Sequence, residues 1–124
     1  MKQPLALVFY ERLLPGTQLV NLLQDLGYRV QTLDQTDRLA EAAREQPPLL
    51  VLADLEPVRG DILAAIQRIR SSSATAHLPV VAFTGRDTPE VRAAAQRAGV
   101  TLVVPDQALL NHLPQLLEQA LRVE

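Results

Sequence analysis

Apolar and polar positions fall in alternating blocks along this chain. Leu5-Ala6-Leu7-Val8-Phe9, Leu49-Leu50-Val51-Leu52-Ala53, Pro79-Val80-Val81-Ala82-Phe83 and Thr101-Leu102-Val103-Val104 are short, nearly continuous apolar runs. Strands buried on both faces read this way, and a further short strand is expected within Tyr28 to Leu33. Between the runs the apolar residues recur at helical spacing. Leu19, Leu22, Leu23 and Leu26 make one stripe, ended by Gly27. Leu39, Ala42 and Ala43 follow Thr36 as a candidate cap and stop before Pro47-Pro48, because a residue preceding proline avoids the helical region. Ile62, Ile66 and Ile69 follow Asp61 as cap and end at Ser71-Ser72-Ser73. Thr88-Pro89-Glu90 is the clearest helix start, opening a stripe of Val91, Ala94, Ala95 and Ala98 that Gly99 ends. Leu113, Leu116, Leu117, Ala120 and Leu121 line a last helix, expected to begin near Asn111 so that Pro114 lies in its first turn.

Five strands alternating with five amphipathic helices give (βα)5. Parallel neighbours need right-handed crossovers and both faces of the sheet must be covered, so the expected fold is a three-layer α/β/α sandwich, flavodoxin-like, with parallel strand order 2-1-3-4-5. The chain of 124 residues is read as one domain, residues 1–124, and a hydrophobic content of 48% with 21% charged residues places it among soluble globular proteins. A formal charge of -2 without any basic run argues against nucleic acid. No run approaches the length of a membrane span, and the absence of cysteine rules out disulfides and thiolate metal sites; both fit a cytoplasmic protein.

In this strand order the site is expected at the switch point between the first and third strands. A pocket there would be lined by Tyr10, Glu11, Asp54, Glu56, Thr84 and Gly85. Asp54 ends the most apolar run, a position where an aspartate can also serve only to end a strand or cap a turn. His77 and His112 form no catalytic or metal triad, and neither a glycine fingerprint, a P-loop nor a nucleophile elbow is present, so no enzyme activity is expected.

Leu50-Val51-Leu52-Ala53-Asp54-Leu55, Pro57, Gly60 and Leu78-Pro79-Val80-Val81-Ala82-Phe83-Thr84-Gly85, with Gly27-Tyr28 and Ala98-Gly99 at helix ends, stand in an order that resembles the chemotaxis-type receiver domains of two-component response regulators. The resemblance covers essentially the whole chain. It implies that Asp54 stands where the family carries its phosphoacceptor and Thr84 where it carries a hydroxyl. It also implies a pair of acids after the first strand to hold Mg²⁺ and a lysine after the fifth.

Those last two features are missing. Glu11 is the only acid before Gln24, Phe9 and Tyr10 stand where carboxylates belong, and Lys2 is the only lysine. Val104-Pro105 takes the lysine's place, and the loop after Asp54 is short. Aromatic bulk from Phe9 and Tyr10 is expected to fill the place of the metal. Phosphoryl transfer depends on positioning and on cations that balance charge, so transfer should be slow unless Arg12 or Arg86 reaches the pocket as a substitute.

The expectation is therefore a degenerate receiver-like signalling module, a pseudo-receiver acting through protein–protein contact without phosphorylation and without metal or other cofactor. Its partner would be a histidine kinase, an output domain or a second copy, met on a surface from Thr88 to Val123 that includes Arg92, Gln96 and Arg97. The alternative is a working receiver that takes a phosphoryl group on Asp54 from a histidine kinase or a small phosphodonor, with Mg²⁺ on Glu11 and Asp54.

Overall fold

A computed structural model of the chain describes residues 3–57 and 60–122. Lys2 and Val123 lie outside them. Five strands, β1 (Leu5–Phe9), β2 (Arg29–Leu33), β3 (Leu50–Asp54), β4 (Val80–Thr84) and β5 (Leu102–Pro105), form one sheet in the order β2-β1-β3-β4-β5, every pairing parallel. The helices are α1 (Leu13–Asp25), α2 (Leu39–Glu45), α3 (Ile62–Ser71), α4 (Pro89–Ala98), α5 (Asp106–Asn111) and α6 (Leu113–Leu121), with a 3₁₀ turn at Thr36–Arg38. The expected order and layers are those observed.

Side chains along each strand alternate between two cores, one on each face of the sheet. Leu7, Phe9, Val51, Ala53, Val80 and Ala82 face α2, α3 and α4, where Ile62, Ile66 and Ile69 meet them. Ala6, Val8, Leu50, Leu52, Val81 and Phe83 face the side covered by α1, α5 and α6, against Leu19, Leu23, Leu109, Leu113 and Leu117. Phe9 and Phe83 are fully buried, one in each core. A fully buried side chain of this size contributes about 1.5–3 kcal/mol. The register aligns the carboxyl ends: Phe9 lies beside Ala53, Asp54 beside Phe83, and Thr84 beside Pro105. One rim of the sheet therefore carries the ends of β1, β3, β4 and β5 together.

Several local readings are corrected. Thr36 does not cap α2; it opens the 3₁₀ turn and is buried against Gly60, where a Cβ would collide with its hydroxyl. Leu26 leaves the buried stripe of α1 and is 44% exposed, while Leu19 and Leu23 are fully covered. Leu49 precedes β3 and is 43% exposed. The last helix is α6, with Pro114 in its first turn as expected, but it starts at Leu113 and a further short helix, α5, precedes it; His112, at φ -131° and ψ 32°, separates the two. Pro114 has no N–H to give a carbonyl four residues back, so α5 cannot run on through it. Thr88 and Asp61 do cap their helices, accepting from the backbone N–H of Val91 at 3.2 Å and Ala64 at 3.1 Å.

The edge of the sheet opposite β2 is fastened by Arg70, at the end of α3. Its guanidinium donates to the carbonyls of Gly99 at 2.7 Å, Ala76 at 2.7 Å and Leu78 at 2.6 Å, and to the Thr101 hydroxyl at 3.1 Å. Gly99 makes room for it: φ is +108°, and a Cβ there would lie 2.5 Å from Arg70 Cγ. Arg70→Ala is expected to cost about 2 kcal/mol, since it strands charge-assisted acceptors at a half-buried seam. A lower urea midpoint at unchanged m would show it.

Candidate functional site

The site begins with Asp54, whose side chain is wholly buried at the end of β3. Its Oδ1 accepts from the backbone N–H of Glu56 at 2.9 Å, an aspartate turn that starts the loop. Both carboxylate oxygens are also held by Arg12, the residue that leads into α1. Nε donates to Oδ1 and Oδ2 at 3.1 Å, and Nη2 to Oδ1 at 2.9 Å. The far side of the same guanidinium meets Asp106 at the start of α5, with Nη1 2.8 Å from Oδ2 and Nη2 3.2 Å from Oδ1. Glu56 Oε2 lies 3.4 Å from Nη1. One planar cation is thus clasped by three carboxylates, two from the end of β3 and its loop and one from the start of α5.

Glu56 links this cluster to β4. Its Oε2 accepts from the Thr84 hydroxyl at 3.0 Å and from the backbone N–H of Gly85 in a very short contact. Thr84 Oγ1 in turn accepts from the backbone N–H of Arg86 at 2.9 Å. Gly85 permits the close approach: a Cβ there would stand 3.2 Å from Glu56 Oε2 and 3.3 Å from Asp106 Oδ2. For Arg12, burial works against the charged form, but hydrogen bonds to Asp54 and Asp106 outweigh it and raise its pKa. Burial also pushes Glu56 upward, yet the N–H of Gly85, the Thr84 hydroxyl and the charges of Arg12 and Arg86 leave its pKa below the ordinary 4.5.

That direction fixes a pH effect. A carboxyl held below its unfolded value adds stability that is complete above about pH 4.5 and fades as pH falls through the folded pKa. Glu56→Gln is expected to cost about 1 kcal/mol at pH 7 and to flatten the acid limb of the stability curve. Urea midpoints of both proteins between neutral and acid pH measure it.

Of the residues expected in one pocket, Asp54, Glu56, Thr84 and Gly85 come together. Tyr10 and Glu11 line a neighbouring hollow of about 460 Å³ with Leu13, Thr32, Leu33 and Asp34, on the β2 side. Val104 is buried in the core on the α1, α5 and α6 side instead of lining the site. The aromatic residues do not fill the place between the acids. Phe9 is in the other core, and the Tyr10 ring lies over Gly16, where a Cβ would run into it. Arg12 fills that place. Arg86 has its backbone on Thr84 and its charge near Glu56. On the expected partner surface Gln96 and Arg97 are exposed, while Arg92 is drawn to Asp87, Nε to Oδ1 at 2.6 Å. Asp106 was not anticipated.

No protein-family model matches the chain, and no curated protein matches it in sequence. Solved structures do. The receiver domain of a sensor histidine kinase from Pseudomonas aeruginosa, with a magnesium ion coordinated in its active-site cleft, superposes with a TM-score of 0.87 at 20% identity, covering 97% of this chain and 98% of that one. A chemotaxis protein of Vibrio cholerae gives 0.86 at 17% identity, covering 96% and 99%. The BeF3-activated N-terminal receiver domain of RstA from Klebsiella pneumoniae gives 0.84 at 19%, covering 96% and 99%. This is the receiver-domain fold.

Arg12 stands two residues after Tyr10, one of the two positions where the resemblance places acids, and Asp106 one residue after Pro105, next to the place of the lysine. The two are paired, Nη1 to Oδ2 at 2.8 Å. The signal for Arg12 was its nearness to the end of β1. The magnesium that the fold suggests does not fit here. A guanidinium already stands within 3.4 Å of all three carboxylates. Among the described residues no group of three or more His, Cys, Asp or Glu is disposed to hold a metal ion. Mg²⁺ asks for an octahedron of oxygens, several of them water, and Arg12 takes that space.

Proposed function

We propose that this chain is a receiver-fold signalling module that works by docking to a protein partner without phosphorylation of Asp54. The observation that carries the reading is the pairing of Asp54 with Arg12. A phosphoacceptor needs an oxygen lone pair open to an in-line donor, and cations free to meet the incoming oxygens. Here Asp54 is 0% exposed and its oxygens are engaged by Arg12 Nε, Arg12 Nη2 and the Glu56 N–H. The cation's other donors are spent on Asp106.

What remains for signalling is the surface. Gln96 and Arg97 on α4 are exposed polar positions whose neighbours Ala95 and Ala98 fix the helix to the core. The partner class is a histidine kinase, an output domain or a second copy of the chain. Among the described residues no helix is long and apolar enough to cross a membrane, so the reading needs no bilayer.

Affinity capture with wild type, Asp54→Asn and Arg97→Glu as baits tests this. The same partner is expected on wild type and Asp54→Asn, and its loss is expected on Arg97→Glu. A folded Asp54→Asn that no longer binds, or binding by wild type that requires a phosphodonor, would overturn the proposal in favour of a phosphorylatable receiver.

A further inference from the structure

We infer that Arg12 is the resident cation of this site, standing where a divalent metal would otherwise be required, so that the chain folds and holds its rim without metal. The inference rests on the closed site of the proposed function, though not on any partner. Asp54, Glu56 and Asp106 come from the ends of β3, its following loop and α5, and nothing in the sheet itself obliges three carboxylates to converge. Together they repel one another, and Asp54 is fully buried. A cation is needed to hold them. The guanidinium supplies it with directed donors: three contacts to Asp54, two to Asp106 and one ion pair with Glu56.

Two features distinguish this from a surface ion pair. Arg12 is only 26% exposed at the side chain, and it binds elements 42 and 94 positions away in sequence. It thereby ties the start of α1 to β3 and to α5 at once, which is the mechanical role of a bridging ion. A covalently attached cation cannot be lost by dilution or chelation. The chain should therefore be indifferent to EDTA and to divalent metal.

The consequence is testable by removing the guanidinium from the full chain. Thermal melting is followed in EDTA and in MgCl₂, and Mn²⁺ binding is followed by water-proton relaxation, for wild type and Arg12→Ala. Wild type is expected to melt at the same temperature in both conditions and to leave Mn²⁺ free. Arg12→Ala leaves Asp54, Glu56 and Asp106 without their shared counter-charge. It is expected to melt about 5 °C or more below wild type in both conditions, and Arg12→Lys, which keeps a cation at the position, is expected to regain part of that loss. Should Arg12→Ala not fold, Arg12→Gln keeps an amide donor for Asp54 without the charge, and a lowered melting temperature that neither EDTA nor Mg²⁺ changes is expected. Mn²⁺ binding by wild type with a rise in melting temperature would overturn the inference, as would an Arg12→Ala or Arg12→Gln variant that melts like wild type. Phosphorylation of wild type without metal would overturn the docking reading yet leave this one standing, because Arg12 would then be the cation in use.

Discussion

Arg12→Ala is expected to lower the stability of the protein at pH 7 by about 3 kcal/mol, the lower part of the range for breaking a buried ion pair from one side. The cost comes mainly from what is left behind. Asp54 remains at 0% side-chain exposure with only the Glu56 N–H as partner, facing Asp106 and Glu56 without a counter-charge. Water can enter where the guanidinium stood, since that side chain is 26% exposed, and this keeps the figure from the top of the range. Asp54→Ala alone should cost less, because Arg12 keeps its contacts with Asp106 and Glu56. The double variant Arg12→Ala with Asp54→Ala should be more stable than Arg12→Ala, with a coupling of about 1–3 kcal/mol in a double-mutant cycle from urea midpoints. Simple additivity would mean that the pair is a surface contact, contrary to the geometry.

The sheet and its order were legible because buried parallel strands leave unmistakable apolar runs, and Leu50 to Ala53 or Val80 to Phe83 leave little choice of alternative. Caps at Asp61 and Thr88 were legible because a cap is a local event, an oxygen two or three residues from its donor. The break at His112 was not. Pro114 showed that a helix had to begin nearby, but whether a further short helix preceded it depended on Leu109 finding its place in the core. At the site, Asp54 and Thr84 were visible as polar residues at the ends of apolar strands. Their electrostatic partner was less so. The Arg12 contacts join positions far apart in the chain, and which acid a long, flexible guanidinium reaches is decided by strand register and loop shape, which composition does not record. Arg12 is one of two candidate cations in the sequence, whereas Asp106 opens a short helix that the sequence does not announce, so nothing there sets it apart.

The second large effect concerns phosphoryl transfer, which is expected to be slower than in a metal-loaded receiver by orders of magnitude. A fixed cation about 4 Å from a phosphoryl oxygen contributes ~4 kcal/mol at an effective dielectric of 20, and each 1.4 kcal/mol is about tenfold in rate. Here the one cation in the cluster is committed to Asp54, Asp106 and Glu56, so it can serve an incoming phosphoryl group only by surrendering those partners. Asp106 adds a negative charge close to where the transferred group would have to sit. Both effects act in the same direction.

Intact-protein mass spectrometry of wild type and Asp54→Ala, after hours with acetyl phosphate or phosphoramidate, with and without Mg²⁺, tests the closed site most directly. The expected result is an unchanged mass for both proteins in every condition. A Mg²⁺-dependent gain of one phosphoryl group on wild type, absent in Asp54→Ala, would contradict it and show that Arg12 yields its place to metal and substrate.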